Sequence, residues 1–141
     1  MTGRPLPWTG PFQDLLGYAG RVEADGAVVL ELDVGERHVN QYGVAHGGIT
    51  LTLLDAAGGL AALVAADAPE RVATISMATN FVRGVMPGRV RAVGRVEHMG
   101  GTVAHTRMEL FDAGGRLLAE AQGAYRLFRR RDAGDGGSPA P

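Results

Sequence analysis

Residues 47–66 read GGITLTLLDAAGGLAALVAA, the longest apolar run of the chain, and Asp55 is its one charged side chain. The run is long enough to span a membrane, but a carboxylate at the centre of a span costs about 2.5–3.5 kcal/mol on insertion scales. A helix that is apolar on all sides in a short chain is explained more simply as one that the rest of the protein wraps. The run therefore predicts a buried helix at the centre of the fold.

Four strands are predicted after this helix. Residues 72–83 form the first, and residues 89–97 alternate charged with apolar side chains, which is typical of a strand with one wet and one buried face. The alternation recurs at residues 102–112 and 116–128, on either side of a Gly-Gly pair. Such short glycine-containing connections favour an antiparallel meander.

The segment ahead of the helix predicts a short helix and a hairpin. A proline opens a helix over residues 11–18, where apolar residues recur at helical spacing. Strand-like runs at residues 21–24 and 27–34 flank an Asp-Gly pair, a strong hairpin signal. Residues 35–45 predict a polar loop. This order of elements indicates an α+β domain in which a curved antiparallel sheet wraps one long helix.

The length of 141 residues and the hydrophobic share of 45% fit one domain, which we place at residues 1–128. Residues 129–141 read RRRDAGDGGSPAP, lack apolar periodicity, and predict a disordered tail. The N-terminal residues lack the continuous apolar core of a secretory signal. This feature predicts a cytoplasmic protein.

The composition excludes several classes of function. Fourteen basic and fifteen acidic residues give a formal net charge of -1, so we expect no binding to nucleic acid or to a membrane. Every basic residue is Arg, which excludes Schiff-base chemistry, and the absence of Cys excludes thiolate nucleophiles and cysteine zinc sites. HxxxH and HxH spacings are missing, so we expect no metal; the histidines are His38, His46, His98 and His105.

Residues 40–48 read NQYGVAHGG and run directly into the predicted helix. Unpaired N–H groups at a helix start point outwards with the positive end of the dipole, and Gly47 lets a substrate oxygen approach without a Cβ in the way. We therefore expect the Gly47 N–H to stabilise an oxyanion. Asp55 can take a proton from water or attack a carbonyl carbon. A structural carboxylate at Asp55 and a tight turn at Gly47-Gly48 remain the alternatives.

His46-Gly47-Gly48, followed by Asp55 in an apolar helix and by four strands, resembles a known family. The match is to the hotdog-fold acyl-CoA thioesterases, specifically the phenylacetate-degradation (PaaI-like) branch of the 4-hydroxybenzoyl-CoA thioesterase superfamily. The resemblance covers residues 12–128. It implies that Gly47 polarises a thioester carbonyl, that Asp55 is the base or nucleophile, and that the amide of Asn40 contacts the carbonyl or orients the site. An ordinary turn residue remains the alternative for Asn40, and proton transfer by His46 stays open beside simple packing at the helix start.

The resemblance also points to Thr74. Family members use a hydroxyl near the attacking water, and some branches have Ser or Thr four residues after the acid. That position is Gly59 in this chain, so Thr74 on the next strand is the better candidate. A strand threonine without a role is the alternative for Thr74.

Further contacts to CoA and to the acyl group are implied in the same way. The stretch Asn80-Phe81-Val82-Arg83 is similar to a family strand that leads to a substrate loop, although Gly84 follows where members often have Pro. The residues expected to bind substrate, including the pantetheine and phosphates of CoA, are Gly48, Phe81, Arg83, Gly100, Gly101 and Thr102. The acyl group is expected to lie against Tyr42, Met77 and Phe81.

The implied activity is hydrolysis of an acyl-CoA to a carboxylic acid and free CoA. Because CoA is part of the substrate, no separate cofactor is expected. The alternatives are an acyl-CoA-binding sensor without catalysis and a hydratase of the same fold, and Asp55 favours hydrolysis over both.

The spacing of Gly47 and Asp55 bears on the assembly. Eight residues of helix give about 12 Å of rise and roughly 80° of rotation, so one carbonyl cannot touch both residues. We therefore expect active sites shared between subunits, in a homodimer or a dimer of dimers (homotetramer). A two-fold axis would bring Gly47 of one subunit towards Asp55 of the other. The small residues Ala56, Gly58 and Gly59 permit close approach of this helix to its surroundings.

Overall fold

The computed structural model describes residues 3–6, 8–67 and 69–129. The α-helices and β-strands in this part of the chain are β1 (Arg4–Pro5), α1 (Pro11–Leu16), β2 (Ala19–Val22), β3 (Val28–Val34), α2 (Gly47–Ala65), β4 (Pro69–Phe81), β5 (Gly88–Met99), β6 (Val103–Asp112) and β7 (Leu117–Arg129), and a short 3-10 helix covers Glu36–His38. The α+β class expected from the sequence is confirmed. Of the tail predicted at 129–141, residues 130–141 lie outside the described residues, and Arg129 is the last residue of β7.

The strands form one antiparallel sheet in the order β1-β2-β3-β5-β6-β7-β4. The predicted meander is confirmed for β5, β6 and β7. Strand β4 departs from it, because it pairs with β7 at the edge of the sheet and not with β5. Helix α2 explains this position: it follows β3, packs across one face of the sheet against β5, β6 and β7, and delivers the chain to the far edge.

Helix α2 is the centre of the core, as the apolar run predicted. Leu53, Leu54 and Ala57 are among its fully buried residues. A Cβ on Gly94 of β5 would overlap the carbonyl of Ala57, so glycine is needed where this strand meets the helix. By length and composition α2 could cross a membrane, but half of its most apolar window is buried inside the protein. Burial to this extent is what a core helix requires.

The loop before α2 is anchored by a buried histidine. His38 accepts a hydrogen bond at Nδ1 from the Gly35 N–H at 3.0 Å, and its Nε2 lies 2.8 Å from the carbonyl oxygen of Leu16 at the end of α1. The backbone carbonyl of His38 accepts a hydrogen bond from the His46 N–H at 2.8 Å. A loop that the sequence identified only as polar is thus tied at both ends, and this fixes where α2 begins.

Strand β4 contains a bulge that changes which side chains face α2. Its register with β7 shifts between Thr74 and Ser76, so Ile75 is an extra residue on β4. Ahead of the bulge, Thr74 contacts α2. Beyond it, side chains of the opposite parity face the helix, among them Phe81. The bulge therefore places Thr74 and Phe81 on the same face, which simple alternation over seven residues would not allow.

Candidate active site

The start of α2 offers one unpaired backbone donor. His46 is the N-cap of the helix, and its Nδ1 accepts a hydrogen bond from the Gly48 N–H at 3.0 Å. The Gly47 N–H has no hydrogen-bond partner among the residues that the structure describes. Because it lies in the first turn of a helix, it is suited to an anion or a polarised carbonyl oxygen. The capping bond engages the Gly48 N–H, so Gly47 is the donor open to a ligand.

An aromatic ring covers this donor on one side. A Cβ placed on Gly47 would lie 3.6 Å from the ring of Phe81, which is 56% exposed at the end of β4. Other exposed apolar side chains in the same part of the chain are Tyr42, Leu51, Val82 and Met86. The unpaired N–H therefore lies close to an aromatic ring, against which the apolar part of a ligand can pack.

Asn40 is positioned by the turn that leads to the helix. Its Oδ1 accepts hydrogen bonds from the N–H groups of Tyr42 at 2.9 Å and Val44 at 3.3 Å. An isolated bridge between Val39 and Ala45 closes the same loop. The amide NH2 of Asn40 has no partner in the described part of the chain, so the turn holds the side chain and leaves its donor group available.

The carboxylate of Asp55 is held by one of its two oxygens. Its Oδ1 accepts a hydrogen bond from Thr74 Oγ1 at 2.7 Å and another from the Tyr125 hydroxyl at 3.3 Å. The same hydroxyl lies 3.2 Å from the backbone oxygen of Asp55. Within residues 3–6, 8–67 and 69–129, Asp55 Oδ2 has no hydrogen-bond partner. This arrangement fixes the side chain and leaves one basic oxygen unoccupied.

Two tyrosines near Asp55 were not identified from the sequence. Burial first, and then the charge of Asp55, raise the pKa of Tyr125, so its phenol stays protonated and remains a donor. Burial and the same charge also raise the pKa of Tyr18, which is partly buried beyond the end of α1. The signal for Tyr125 was its place on the buried face of β7, where its neighbours are Gly123 and Leu127. A hydroxyl on such a face needs a partner.

Glycines in α2 make room for the Tyr125 ring. A Cβ on Gly58 would lie 2.5 Å from the Tyr125 hydroxyl oxygen, and one on Gly59 would lie 3.4 Å from the ring. Gly59 is the position at which some relatives were expected to carry a hydroxyl. The hydroxyl groups beside Asp55 come instead from strands β4 and β7, through Thr74 and Tyr125.

The residues predicted from the sequence fall into two groups that do not meet within one chain. The first lies at the start of α2 and contains His46, Gly47, Gly48 and Phe81, with Asn40 in the loop that leads to the helix. The second surrounds Asp55 and contains Thr74 and Tyr125. Eight residues of helix separate the groups, which corresponds to about 12 Å.

The residues expected to bind CoA also lie far apart within one chain. Arg83 Nη1 donates a hydrogen bond at 2.7 Å to the carbonyl of Leu117, where β7 starts. The carbonyl of Thr102 accepts one at 2.8 Å from the N–H of Leu127, near the end of β7. Ten residues of strand span about 33 Å, so one chain cannot hold a CoA phosphate with both Arg83 and the turn of Gly100, Gly101 and Thr102.

Clusters of metal-binding side chains do not occur in the described part of the chain, where no group of three or more His, Asp or Glu could hold an ion. His98 and His105 approach each other across β5 and β6, with ring centroids 6.1 Å apart. Both side chains are exposed, and no acidic side chain joins them in a group of three.

Comparison with known proteins identifies the family. The family model described as the thioesterase superfamily matches residues 42–119, which include both Gly47 and Asp55. A protein of Saccharolobus solfataricus that is named as an esterase candidate is 36% identical over 106 residues, covering 75% of each chain. Acyl-coenzyme A thioesterase 13 of Pongo abelii is 30% identical over 118 residues, covering 82% of this chain and 84% of the relative.

A solved structure shows the same fold. The PaaI protein of Escherichia coli, from the phenylacetic acid degradation operon, superposes with a TM-score of 0.77 at 19% identity, covering 85% of this chain and 86% of that chain. The expected hotdog fold and the expected enzyme class, a thioester hydrolase, are confirmed. On the match over residues 42–119 and the relative that is 36% identical, this chain belongs to the thioesterase superfamily.

Proposed function

We propose that the protein is an acyl-CoA thioesterase that hydrolyses its substrate to a carboxylic acid and free CoA. One observation carries the proposal: the Asp55 carboxylate is anchored at Oδ1 by two hydroxyl groups while its Oδ2 has no partner in the described chain. An oxygen that no described protein group engages is available to take a proton from water. The name of the relative acyl-coenzyme A thioesterase 13 supports an acyl-CoA as the substrate.

The proposed chemistry begins with polarisation of the thioester. The Gly47 N–H donates a hydrogen bond to the carbonyl oxygen, and the Asn40 amide adds a second donor. Asp55 Oδ2 takes a proton from water, and the resulting hydroxide forms a bond to the carbonyl carbon. The tetrahedral intermediate then expels the CoA thiolate, which receives the proton from Asp55. An oxyanion donor of this kind contributes about 2.7–4 kcal/mol in other acyl-transfer enzymes.

A mechanistic variant uses the same residues. Asp55 Oδ2 would attack the carbonyl carbon directly and release the CoA thiolate, forming a mixed anhydride that water then hydrolyses. In both versions Thr74 and Tyr125 hold the carboxylate by Oδ1 and leave Oδ2 as the reacting oxygen.

The complete site requires a second copy of the chain. Since Gly47 and Asp55 are separated along one helix, we place the thioester between Gly47 of one subunit and Asp55 of the partner subunit, in a homodimer or a dimer of dimers. Strand β4 supports this assembly, because it is an edge strand of 13 residues. An unpaired edge of this length is normally covered. The same symmetry would let Arg83 and the turn at residues 100–102 reach CoA from different subunits.

The cellular location and the absence of further partners are also proposals. We place the protein in the cytoplasm and propose no nucleic-acid or membrane partner, in keeping with the formal net charge of -1. The decisive experiment is incubation of the purified protein with a panel of acyl-CoA esters while released thiol is measured. Release of thiol from at least one ester supports the proposed thioesterase activity. Tight binding of an ester without release identifies a sensor, and water addition to an enoyl-CoA without release identifies a hydratase.

A further inference from the structure

His38 is a buried titratable side chain that the proposed chemistry does not use. It is 4% exposed, and no carboxylate, arginine or other histidine in the described part of the chain is buried to this extent. Each of its ring nitrogens nevertheless has a partner, Gly35 on one side and Leu16 on the other. A buried imidazole with both nitrogens satisfied is held in one orientation.

The two partners of the ring require it to be neutral. The Gly35 N–H can only donate, so Nδ1 of His38 accepts through its lone pair at 3.0 Å. The Leu16 carbonyl can only accept, so Nε2, which lies 2.8 Å from it, carries the proton. A second proton on Nδ1 would face the Gly35 N–H with another donor and would place a charge in a buried position. The observed contacts are therefore compatible with the neutral ring alone.

The backbone of His38 forms the base of the loop that leads to α2. Its carbonyl accepts the hydrogen bond from the His46 N–H at 2.8 Å, and the next residues inwards on either side are also bridged. The loop closed in this way contains Asn40, and His46 is the N-cap that leaves the Gly47 N–H open. A displacement of His38 therefore reaches both proposed donors to the thioester oxygen.

The surroundings of the ring offer nothing that would stabilise a positive charge on it. Arg37 donates from Nη2 to the same Leu16 carbonyl at 3.2 Å, so a guanidinium shares the acceptor of the imidazole. Within the described ranges, the ring makes no hydrogen bond or ion pair with an acidic side chain. The titratable groups on the segments that contact His38 are Asp14 in α1, Tyr18 beyond it, Glu36 and Arg37 beside His38, and His46 at the start of α2.

We propose that neutral His38 is the positioning residue that aligns Asn40 and the Gly47 N–H for the thioester, and that protonation of its ring releases them. The proposal rests on the function proposed above and adds its regulation by pH. Acid weakens the alignment of the oxyanion donors through His38, independently of the protonation of Asp55. Turnover is therefore lost at low pH for two separable reasons.

Side-chain variants separate the two bonds of the ring. His38→Asn keeps an acceptor near the Nδ1 position for Gly35, His38→Gln keeps a donor that can reach Leu16, and His38→Leu removes both. We expect His38→Leu to lower kcat about tenfold to a hundredfold with little change in KM, because misplaced donors affect the transition state more than the bound ester. His38→Asn and His38→Gln should each restore part of kcat. Val22→Ala, a core substitution in β2, controls for loss of stability alone and should keep kcat.

The pH dependence is compared between the wild type and His38→Gln, whose side chain cannot be protonated. The imidazole and the N–H groups of Gly35 and His46 are followed by heteronuclear NMR between about pH 5 and 8, the range in which histidines commonly change charge. The kcat is measured over the same range. We expect the second proton on the wild-type ring to change both amide signals and to lower kcat in step. His38→Gln should keep only the loss of kcat that protonation of Asp55 causes.

The NMR measurement does not depend on turnover. If no ester releases thiol but both amide signals change as the His38 ring is protonated, the proposed function fails and the control of the loop by His38 stands. Superimposable pH profiles of kcat for the wild type and His38→Gln overturn the proposal, as does wild-type kcat in a folded His38→Leu. An equal fall of kcat in Val22→Ala would also overturn it, because stability alone then explains the loss. If His38→Leu does not fold, the Asn and Gln variants and the wild-type titration decide.

Discussion

At the scale of single residues, Asp55 gives the most direct test of the mechanism. Asp55→Asn retains an oxygen that can accept from Thr74 and Tyr125, so the side chain should keep its place while losing its basicity. We expect turnover to fall at least about a hundredfold, in line with general-base contributions of about 10²–10⁴. Thiol release measures the effect, and circular dichroism checks folding. A folded Asn variant with near-normal turnover would show that the carboxylate is structural.

Tyr125 gives a second prediction at this scale, based on pH. Its pKa is raised by burial and by Asp55, whereas in the unfolded chain the phenol titrates near 10. As the pH rises, Tyr125 therefore loses its phenol proton in the unfolded chain before it does so in the folded protein. Its contribution to the free energy of unfolding is complete below about pH 10 and is lost progressively above it. Urea unfolding at pH 8 and 10.5 should show a fall in the free energy of unfolding that Tyr125→Phe makes shallower. An equal fall in both proteins would remove Tyr125 as the cause.

Gly47 and Asp55 could be predicted from the sequence and Tyr125 could not, for a physical reason. Gly47 and Asp55 belong to one continuous helix, so their spacing can be read directly from the chain. Tyr125 is 70 residues from Asp55, and the packing of α2 against β7 brings it into contact. That packing depends on the path of α2 across the sheet, which no local pattern encodes. Thr74 was identified through family resemblance and not through periodicity.

At the scale of secondary-structure elements, variants of His46 at the start of α2 distinguish helix capping from proton transfer. Its Nδ1 caps the helix, so His46→Ala should lower the free energy of unfolding by about 1 kcal/mol, the usual cost of losing an N-cap acceptor. His46→Asn supplies an acceptor again and should restore stability while keeping most of the turnover. Urea unfolding and thiol release are measured on the same samples. If His46→Asn is as stable as the wild type but inactive, the imidazole transfers protons.

Helix α2 and strand β4 show which parts of the fold could be predicted from the sequence and which could not. The apolar run located α2 to within one residue of its observed end, because burial on every side leaves a continuous hydrophobic signal. The bulge at Ile75 left no such signal. Simple alternation from Val72 would have turned Phe81 away from the helix, although Phe81 contacts Gly47. Such irregularities are set by side-chain packing between elements, which the sequence of one strand does not show.

At the scale of the whole molecule, the shared site predicts complementation between two inactive variants. Gly47→Pro removes the donor, and proline is well tolerated at the first position of a helix. Mixed with Asp55→Asn, it should form heterodimers with one doubly damaged and one intact site. Up to half of the wild-type activity per heterodimer should return, measured as thiol release after separation by two different affinity tags.

The controls for this experiment are the two parent homodimers and the subunit mass of each in solution. A pure heterodimer that stays inactive while both parents are folded and dimeric contradicts the shared site, as does a fully active wild-type monomer. Since β4 is the sheet edge and carries Thr74 of one group and Phe81 of the other, an assembly through this edge would bring the two groups of site residues together across the subunits.

The bulge in β4 decides how this strand responds to a change of chain length. Thr74 pairs with Tyr125, and Ser76 pairs with the next β7 residue, Ala124, so deleting Ile75 would leave regular pairing and keep Phe81 facing α2. Deleting a residue beyond the bulge, such as Ala78, would instead turn Phe81 away from the helix, because a one-residue shift exchanges the two faces of a strand. Engineering of substrate range should therefore compare one-residue deletions at position 75 with deletions further along the strand.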